Sequence, residues 1–371
     1  MSLYLRIEGT TGILTNQDTG ESVVAWNNPN WSDNTWKATV TTISCQEGLN
    51  TADVTSMQGM FHDCLVLLSV DLTGFNTSNV TDMCSLFDGC VALTTLNIST
   101  FDTTNVEDMS WMFYNCQALT TLSLAHFNTA KVTDMCYMFT NCKLISTLDL
   151  STFNTALVTD MDQMFSGCES LATLDISHFN TGNVTCMIRM FYKCSSLTNL
   201  NLRVFDTSHV TDFNSMFAEC SSLTELDLSS FNTINVTDMH ELFAECTQLE
   251  TINLYNFNTS NVENFTNMFL NCASLVNIYI KNVCDISSVI DPTAAIFTGC
   301  ISLPNFDINK VDTQALVYNS EGGYLQRTDE YHWLDQYGTK RLIHNFKSYV
   351  EQYNTTLRSY TDGDTLVIVS A

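Results

Sequence analysis

Fifteen cysteines are the residues of this 371-residue chain whose type first suggests chemistry. Thiols bridge, bind metals or attack electrophiles, and a set of them in a small secreted chain reads as a disulfide framework. Ten of them, however, keep one phase. Cys64, Cys90, Cys116, Cys142, Cys168, Cys194, Cys220, Cys246 and Cys272 each lie 26 residues apart, and Cys300 follows after 28. Stacked repeats would set such a column at about 4.8 Å per step. That is within the Cα range of a disulfide, but the Cβ vectors would run parallel instead of facing one another. The column is therefore expected to hold cysteine as a small buried apolar residue, with disulfides as the alternative. Cys84 and Cys136 share a second column two repeats apart, too far to bridge.

A column of carboxylates has the same beat: Asp82, Asp108, Asp134, Asp160, Asp212 and Asp238, interrupted by Cys186. Stacked carboxylates suit Ca²⁺ between repeats. A carboxylate at the start of a helix suits capping and the helix dipole, and capping is the expectation. His126 and His178 stand two repeats apart, too distant for one metal. The chain has no HExxH, no CxxC pair, no Gly-rich phosphate loop and no GxSxG. No enzyme activity, catalytic residue, metal or cofactor is expected. A formal charge of −26 argues against nucleic acid and anionic membranes as partners. No run approaches the ~18 apolar residues of a membrane span. The first residues, MSLYLRIEGTTG, lack the basic start and apolar core of a signal peptide.

The elements that carry these columns repeat with them. In Met83-Leu86-Phe87-Cys90 the apolar residues fall at i, i+3, i+4 and i+7, the spacing of one helical face. The same spacing recurs in Met109-Ser-Trp-Met112-Phe113-Tyr-Asn-Cys116 and in the other copies, so two helical turns per repeat are expected. Leu93-x-x-Leu96-x-Ile98 follows, ending as a strand with one buried face. Phe101-Asp102-Thr103 then turns the chain back. The corner threonines Thr77, Thr103, Thr129, Thr155, Thr181, Thr207, Thr233 and Thr259 form a polar ladder suited to backbone groups that the turn leaves unpaired. Nine of 26 positions are apolar in nearly every copy, more than one unit can bury, so the copies must stack into a solenoid. Sequons such as Asn79-Val-Thr81 and Asn183-Val-Thr185 are products of the repeat and are not read as glycosylation sites.

The pattern Phe-Asn-Thr-x-x-Val-Thr-Asp-Met with Met-Phe-x-x-Cys-x-x-Leu-x-x-Leu-x-Leu resembles the BspA-like leucine-rich-repeat surface proteins. The match covers about 260 residues in ten copies. The resemblance implies an α/β repeat: a right-handed leucine-rich-repeat solenoid with a parallel β-sheet on one face and short helices on the other. It also implies non-enzymatic adhesion or recognition at a cell surface. Residues 1–48 lie outside the period and read as a β-rich cap or docking segment, with strands in SLYLRIEG, ESVVAW and ATVTTISC and tryptophans at 26, 31 and 36 as possible anchors. The array spans 49–309. Residues 310–371 read as a C-terminal cap and attachment segment, with a helix over 341–357, a turn at TDGD and a last strand in TLVIVS.

The outward residues of the strands need not pack, so their identity is free to vary. They run from Ser69/Asp71 and Thr95/Asn97 to Asn277/Tyr279, and the first half is Thr-rich and plain. The second half gains Arg203, Glu225, Asp227, Asn253, Tyr255, Tyr279 and Lys281, a set able to hold a glycan or a protein on a cell surface. The expected location is an extracellular-facing surface. The alternative is a structural bacteriophage virion component, a fibre or capsid decoration, docked to partner subunits through residues 1–48 and 310–371.

Overall fold

The computed structural model describes residues 3–16, 23–25, 35–280, 284–291, 293–304 and 306, and the strands at 325–327, 332–334, 340–342, 357–362 and 365–370. The chain winds into coils of 26 residues that stack as a solenoid, each coil bonding to the next. On one side the coils present short parallel strands. β5 (Ser69–Asp71) pairs with β6 (Thr95–Asn97). β7 (Glu225–Asp227), β8 (Thr251–Asn253) and β9 (Asn277–Ile280) pair in sequence further along. Each carries the alternation read from Leu96-x-Ile98: Val70, Leu226, Ile252 and Ile278 point into the core. Between β6 and β7 four coils carry no strand, and coil-to-coil bonds there lengthen, as in Ala172 N–H to Ser146 O at 3.3 Å and Thr198 N–H to Ala172 O at 3.5 Å. The sheet is thus two sheets joined by a looser stretch.

The opposite side corrects the helical expectation: the described residues contain no helix. The N–H groups of Met83, Ser85, Phe87 and Gly89 donate to Asp108, Ser110, Met112 and Tyr114 in the next coil, at 2.9–3.0 Å. Leu86, Asp88 and Cys90 instead close tight turns on Met83, Ser85 and Phe87. Sending alternate amides out of the coil requires alternate residues to turn over. Ser85 and Gly89 accordingly have φ of 54° and 73°, and the same two positions are left-handed in every coil from Gly59 to Asn271. Apolar spacing at i, i+3, i+4 and i+7 buries one face in either conformation, so the core is the one expected: Met83, Leu86, Phe87 and Cys90 are all buried. What the helix would have satisfied within itself, the coil satisfies through its neighbour.

Identical residues stack in columns. Phe61, Phe87 and their successors to Phe297 form a continuous pile, with ring centroids 5.3–5.8 Å apart and planes within 4–20°. All fifteen cysteines are free. In the main column each thiol from Cys90 onward donates to the Phe carbonyl of the preceding coil, as Cys116 does to Phe87 O at 3.3 Å. Burial pushes the Cys168 and Cys246 thiols up to about 12, so they stay protonated and unreactive at neutral pH. The corner ladder works as expected. The Thr129 hydroxyl donates to Asn154 O at 3.0 Å and accepts from Asn154 N–H at 2.7 Å, tying two coils at one atom.

At the N-terminus, β1 (Tyr4–Glu8), β2 (Thr11–Thr15) and β3 (Val23–Ala25) form an antiparallel group. β4 (Thr42–Cys45) joins β2 to β5 by parallel pairing, so one six-stranded sheet runs from this segment into the array. β2 is a strand additional to the three expected. Trp36 is a core residue, 3% exposed, and not an exposed anchor; the tryptophans at 26 and 31 lie outside the described residues. At the other end, β10 (Leu325–Arg327) adds to β9. A separate sheet is built from β11 (His332–Leu334), β12 (Lys340–Leu342), β13 (Leu357–Asp362) and β14 (Thr365–Ser370) in the order β12-β11-β14-β13. The last strand is where TLVIVS placed it. The helix expected over 341–357 has strand at both ends, and its middle lies outside the described residues.

Gly167 has a φ of 71°, and a Cβ there would stand 2.3 Å from Asn141 Oδ1. In a helix Gly→Ala would stabilise by about 0.5–1 kcal/mol. Here Gly167→Ala is expected to cost about 1–2 kcal/mol, read as a lower denaturation midpoint; a raised midpoint would restore the helix. Thr129→Val, isosteric but without the hydroxyl, is expected to cost about 1–3 kcal/mol by leaving both Asn154 groups without that partner.

Candidate recognition face

The parallel pairing decides which sheet-face residues meet. Glu225 aligns with Thr251 and Asn277; Asp227 aligns with Asn253, which aligns with Tyr279. Tyr279 in turn aligns with Gln326 of β10. The face is therefore one strip four strands wide. Arg203 lies one coil earlier, 72% exposed, with its Nε 3.5 Å from Asp227 Oδ2. Asp227 Oδ2 is buried and has no hydrogen-bond partner, while its other oxygen, Oδ1, accepts from Asn253 Nδ2 at 3.2 Å. Asn253 Oδ1 accepts the Tyr255 backbone N–H at 3.1 Å. A polar chain thus runs from Arg203 through Asp227 and Asn253 to Tyr255.

Of the seven expected residues, this chain links Arg203, Asp227, Asn253 and Tyr255, and strand pairing sets Glu225 and Tyr279 on the same strip. Asn253 departs from the expectation that it faces a ligand. It is 5% exposed and holds its neighbours in place. Its amide satisfies two polar groups at once, and a side chain without that amide would leave the half-buried Asp227 with less support. Glu225 is exposed, and Asp227, Tyr255 and Tyr279 are half-buried. Lys281 lies outside the described residues.

The aspartate column is not a set of helix caps, because no helix starts there. Each Oδ1 accepts the amide two residues on, as in Cys84 N–H to Asp82 at 2.9 Å and Ser110 N–H to Asp108 at 2.8 Å, an Asx turn that begins the coil's tight segment. The aspartates also form coil-to-coil bridges along the column. Among the described residues no group of three or more His, Cys, Asp or Glu side chains is arranged to hold a metal ion. His126 and His178 each bond a carbonyl of the preceding coil, Ile98 and Leu150. The sequon amides of Asn79 and Asn183 are donated to Ala52 O and Ala156 O. Among the described residues no helix is long and apolar enough to cross a membrane.

With that geometry in hand, the sequence matches the family described as "Mycoplasma protein of unknown function, DUF285" over residues 33–146, 120–204 and 196–310. The chain belongs to this family. Its repeats are the matched unit, and the matched stretches run end to end through the array. Similar solved structures include a leucine-rich repeat protein from Bacteroides ovatus, at 16% identity and a TM-score of 0.40, covering 82% of this chain and 80% of that one. A leucine-rich cell surface protein from Faecalibacterium prausnitzii is similar at 17% identity and a TM-score of 0.38, covering 84% and 98%. A leucine-rich repeat protein from Eubacterium ventriosum has 13% identity and a TM-score of 0.33, covering 84% and 92%. Among curated proteins none matches.

Burial holds the carboxyls of Asp108, Asp160 and Asp212 above their ordinary value of 3.8. Unfolding returns them to that value, so above it the folded chain binds more protons than the unfolded one. Stability should then rise as pH falls from neutral toward the carboxyl range. The exposed Asp102, Asp149, Asp175 and Asp206 are held below 3.8 by hydrogen bonds from Thr104, Ser151, Ser177 and Ser208. Their contribution is lost only as pH drops through 3.8 and below. The thermal midpoint is expected to climb as pH falls from neutral toward the carboxyl range and to fall again below about pH 4. A midpoint that declines steadily from neutral pH would contradict these shifts.

Proposed function

We propose that the protein is a non-enzymatic recognition scaffold displayed at an extracellular-facing surface, binding a protein or glycan through the sheet face of its C-terminal coils. The observation that carries this is the polar chain Arg203–Asp227–Asn253–Tyr255, which lies beside Glu225 and Tyr279 on one strip. The array repeats the same residue wherever stacking demands it. On this strip the residues change from coil to coil, and the change runs toward tyrosine and charge. Tyrosine offers a rigid face with a polar tip, and flanking charges orient a partner. The stacked coils present these groups without loop motion, which limits the ordering cost of binding.

In this reading residues 49–309 are the recognition array. Residues 1–48 close its first edge, since β1–β4 extend its sheet, and residues 310–371 close the last coil and carry attachment to a cell or a bacteriophage particle. The test is a Tyr255→Ala/Tyr279→Ala double variant compared with wild type on glycan arrays and immobilised host-surface proteins. The expected result is a folded variant whose binding is weakened about tenfold or more, the order of one lost anchor. Equal binding by the two proteins would remove this patch as the site.

A further inference from the structure

The carboxylates of the sheet side differ in what they do for the fold. Those of the earlier coils hold the turn that follows the strand. Asp149 Oδ1 accepts the Ser151 N–H at 3.1 Å and its hydroxyl at 2.6 Å, and Asp175 Oδ1 accepts the same two groups of Ser177 at 3.1 and 2.7 Å. Glu225 and Glu250 have no such task. Both are exposed, and among the described residues neither carboxylate makes a hydrogen bond or an ion pair. The column of Glu225 holds Ser, Thr or Asn in all the other coils from Ser69 to Asn277. The column of Glu250 is uncharged in all the others from Leu68 to Val276. Those coils stack and turn without the charge, so neither stacking nor turning accounts for it.

The surroundings of the pair are anionic over a long range. Between Val204 and Ile280 the chain carries ten Asp or Glu residues and no Lys or Arg. Strand pairing sets Glu225 beside Thr251, the residue after Glu250, so the two unspent carboxylates stand on adjacent coils. Tyr255 lies on the coil of Glu250 and Tyr279 on the next, both half-buried. A guanidinium already stands at this strip, since Arg203 Nε is 3.5 Å from Asp227 Oδ2.

Resting on the reading of this strip as the recognition face, we propose that its partner is a basic protein segment, an extended stretch bearing arginine or lysine. Free carboxylates accept charge-assisted hydrogen bonds, two at once from a guanidinium. Tyrosine ring faces attract the same cations. The field of an uninterrupted acidic stretch raises the encounter rate of a cationic partner and repels an acidic one. A neutral glycan would cover Glu225 and Glu250 without neutralising them, which carries a desolvation cost and no ionic return.

The intact protein is titrated by calorimetry with the peptide Gly-Arg-Gly-Arg-Gly-Arg-Gly and with its counterpart carrying citrulline, the uncharged analogue, for arginine. The arginine peptide is expected to bind saturably and to weaken as salt rises from about 50 to 200 mM. The citrulline peptide is expected to bind about tenfold or more weakly. Glu225→Gln/Glu250→Gln is expected to lose a similar factor with its melting unchanged, because neither carboxylate bonds within the fold. Glu107→Gln/Glu263→Gln removes the same charge outside the strip and is expected to bind as wild type does. The proposal is overturned if the arginine peptide does not bind, if citrulline serves as well, or if the two glutamine variants bind alike. The two readings fail differently. If Tyr255→Ala/Tyr279→Ala loses a glycan or protein that wild type holds, while the arginine peptide binds neither, the strip stands and its basic partner falls. If neither the tyrosine nor the Glu225/Glu250 substitutions alter any binding, the strip itself falls.

Discussion

Hydrogen bonding from one coil to the next is the constraint on which the rest of this structure depends. A coil of this solenoid leaves alternate amides of its tight segment without an internal acceptor, and the next coil accepts them. Unpaired buried amides cost about as much as a lost hydrogen bond each, so a lone coil is not a stable unit. The same bonds force each coil to copy the cross-section of its neighbour, and copying the backbone copies the side-chain environment. That is why phenylalanine, cysteine and threonine recur in unbroken columns. Each column residue also bonds or stacks along the axis: Phe on Phe, thiol to carbonyl, hydroxyl to both groups of the next corner.

A left-handed residue at fixed places in every coil is the cost of this arrangement. Several coils meet it with glycine or asparagine, which tolerate positive φ best. The chain is therefore its own control experiment: where stacking dictates the residue, the copies agree, and where they differ the fold has left the position open. One such region is the strip around Asp227 and Tyr279 on the sheet.

Charge acts on a different scale from these columns. The carboxylates of the aspartate column are half-buried and spaced by one coil, so burial and their neighbours hold several of them above the ordinary range. In each, Oδ1 accepts the amide that begins the tight segment. The acidic surface as a whole bears on partners more than on the fold, since net charge sets long-range attraction and repulsion.

The sequence by itself determined the period, the inward columns and the corner ladder, because a residue repeated every 26 positions can only be answering the same environment each time. Phe101 filling the interior, Thr129 bridging the corner and Val70 facing inward could all be read this way. It could not decide between a helix and a chain of alternating turns at Met83–Cys90. Both bury the same apolar face, and they differ only in whether an amide finds its acceptor four residues back or in the next coil. Only the stacked structure makes that choice. It also buried Asn253, an outward position by alternation, because the side chain is needed by Asp227 on one strand and Tyr255 beyond the next.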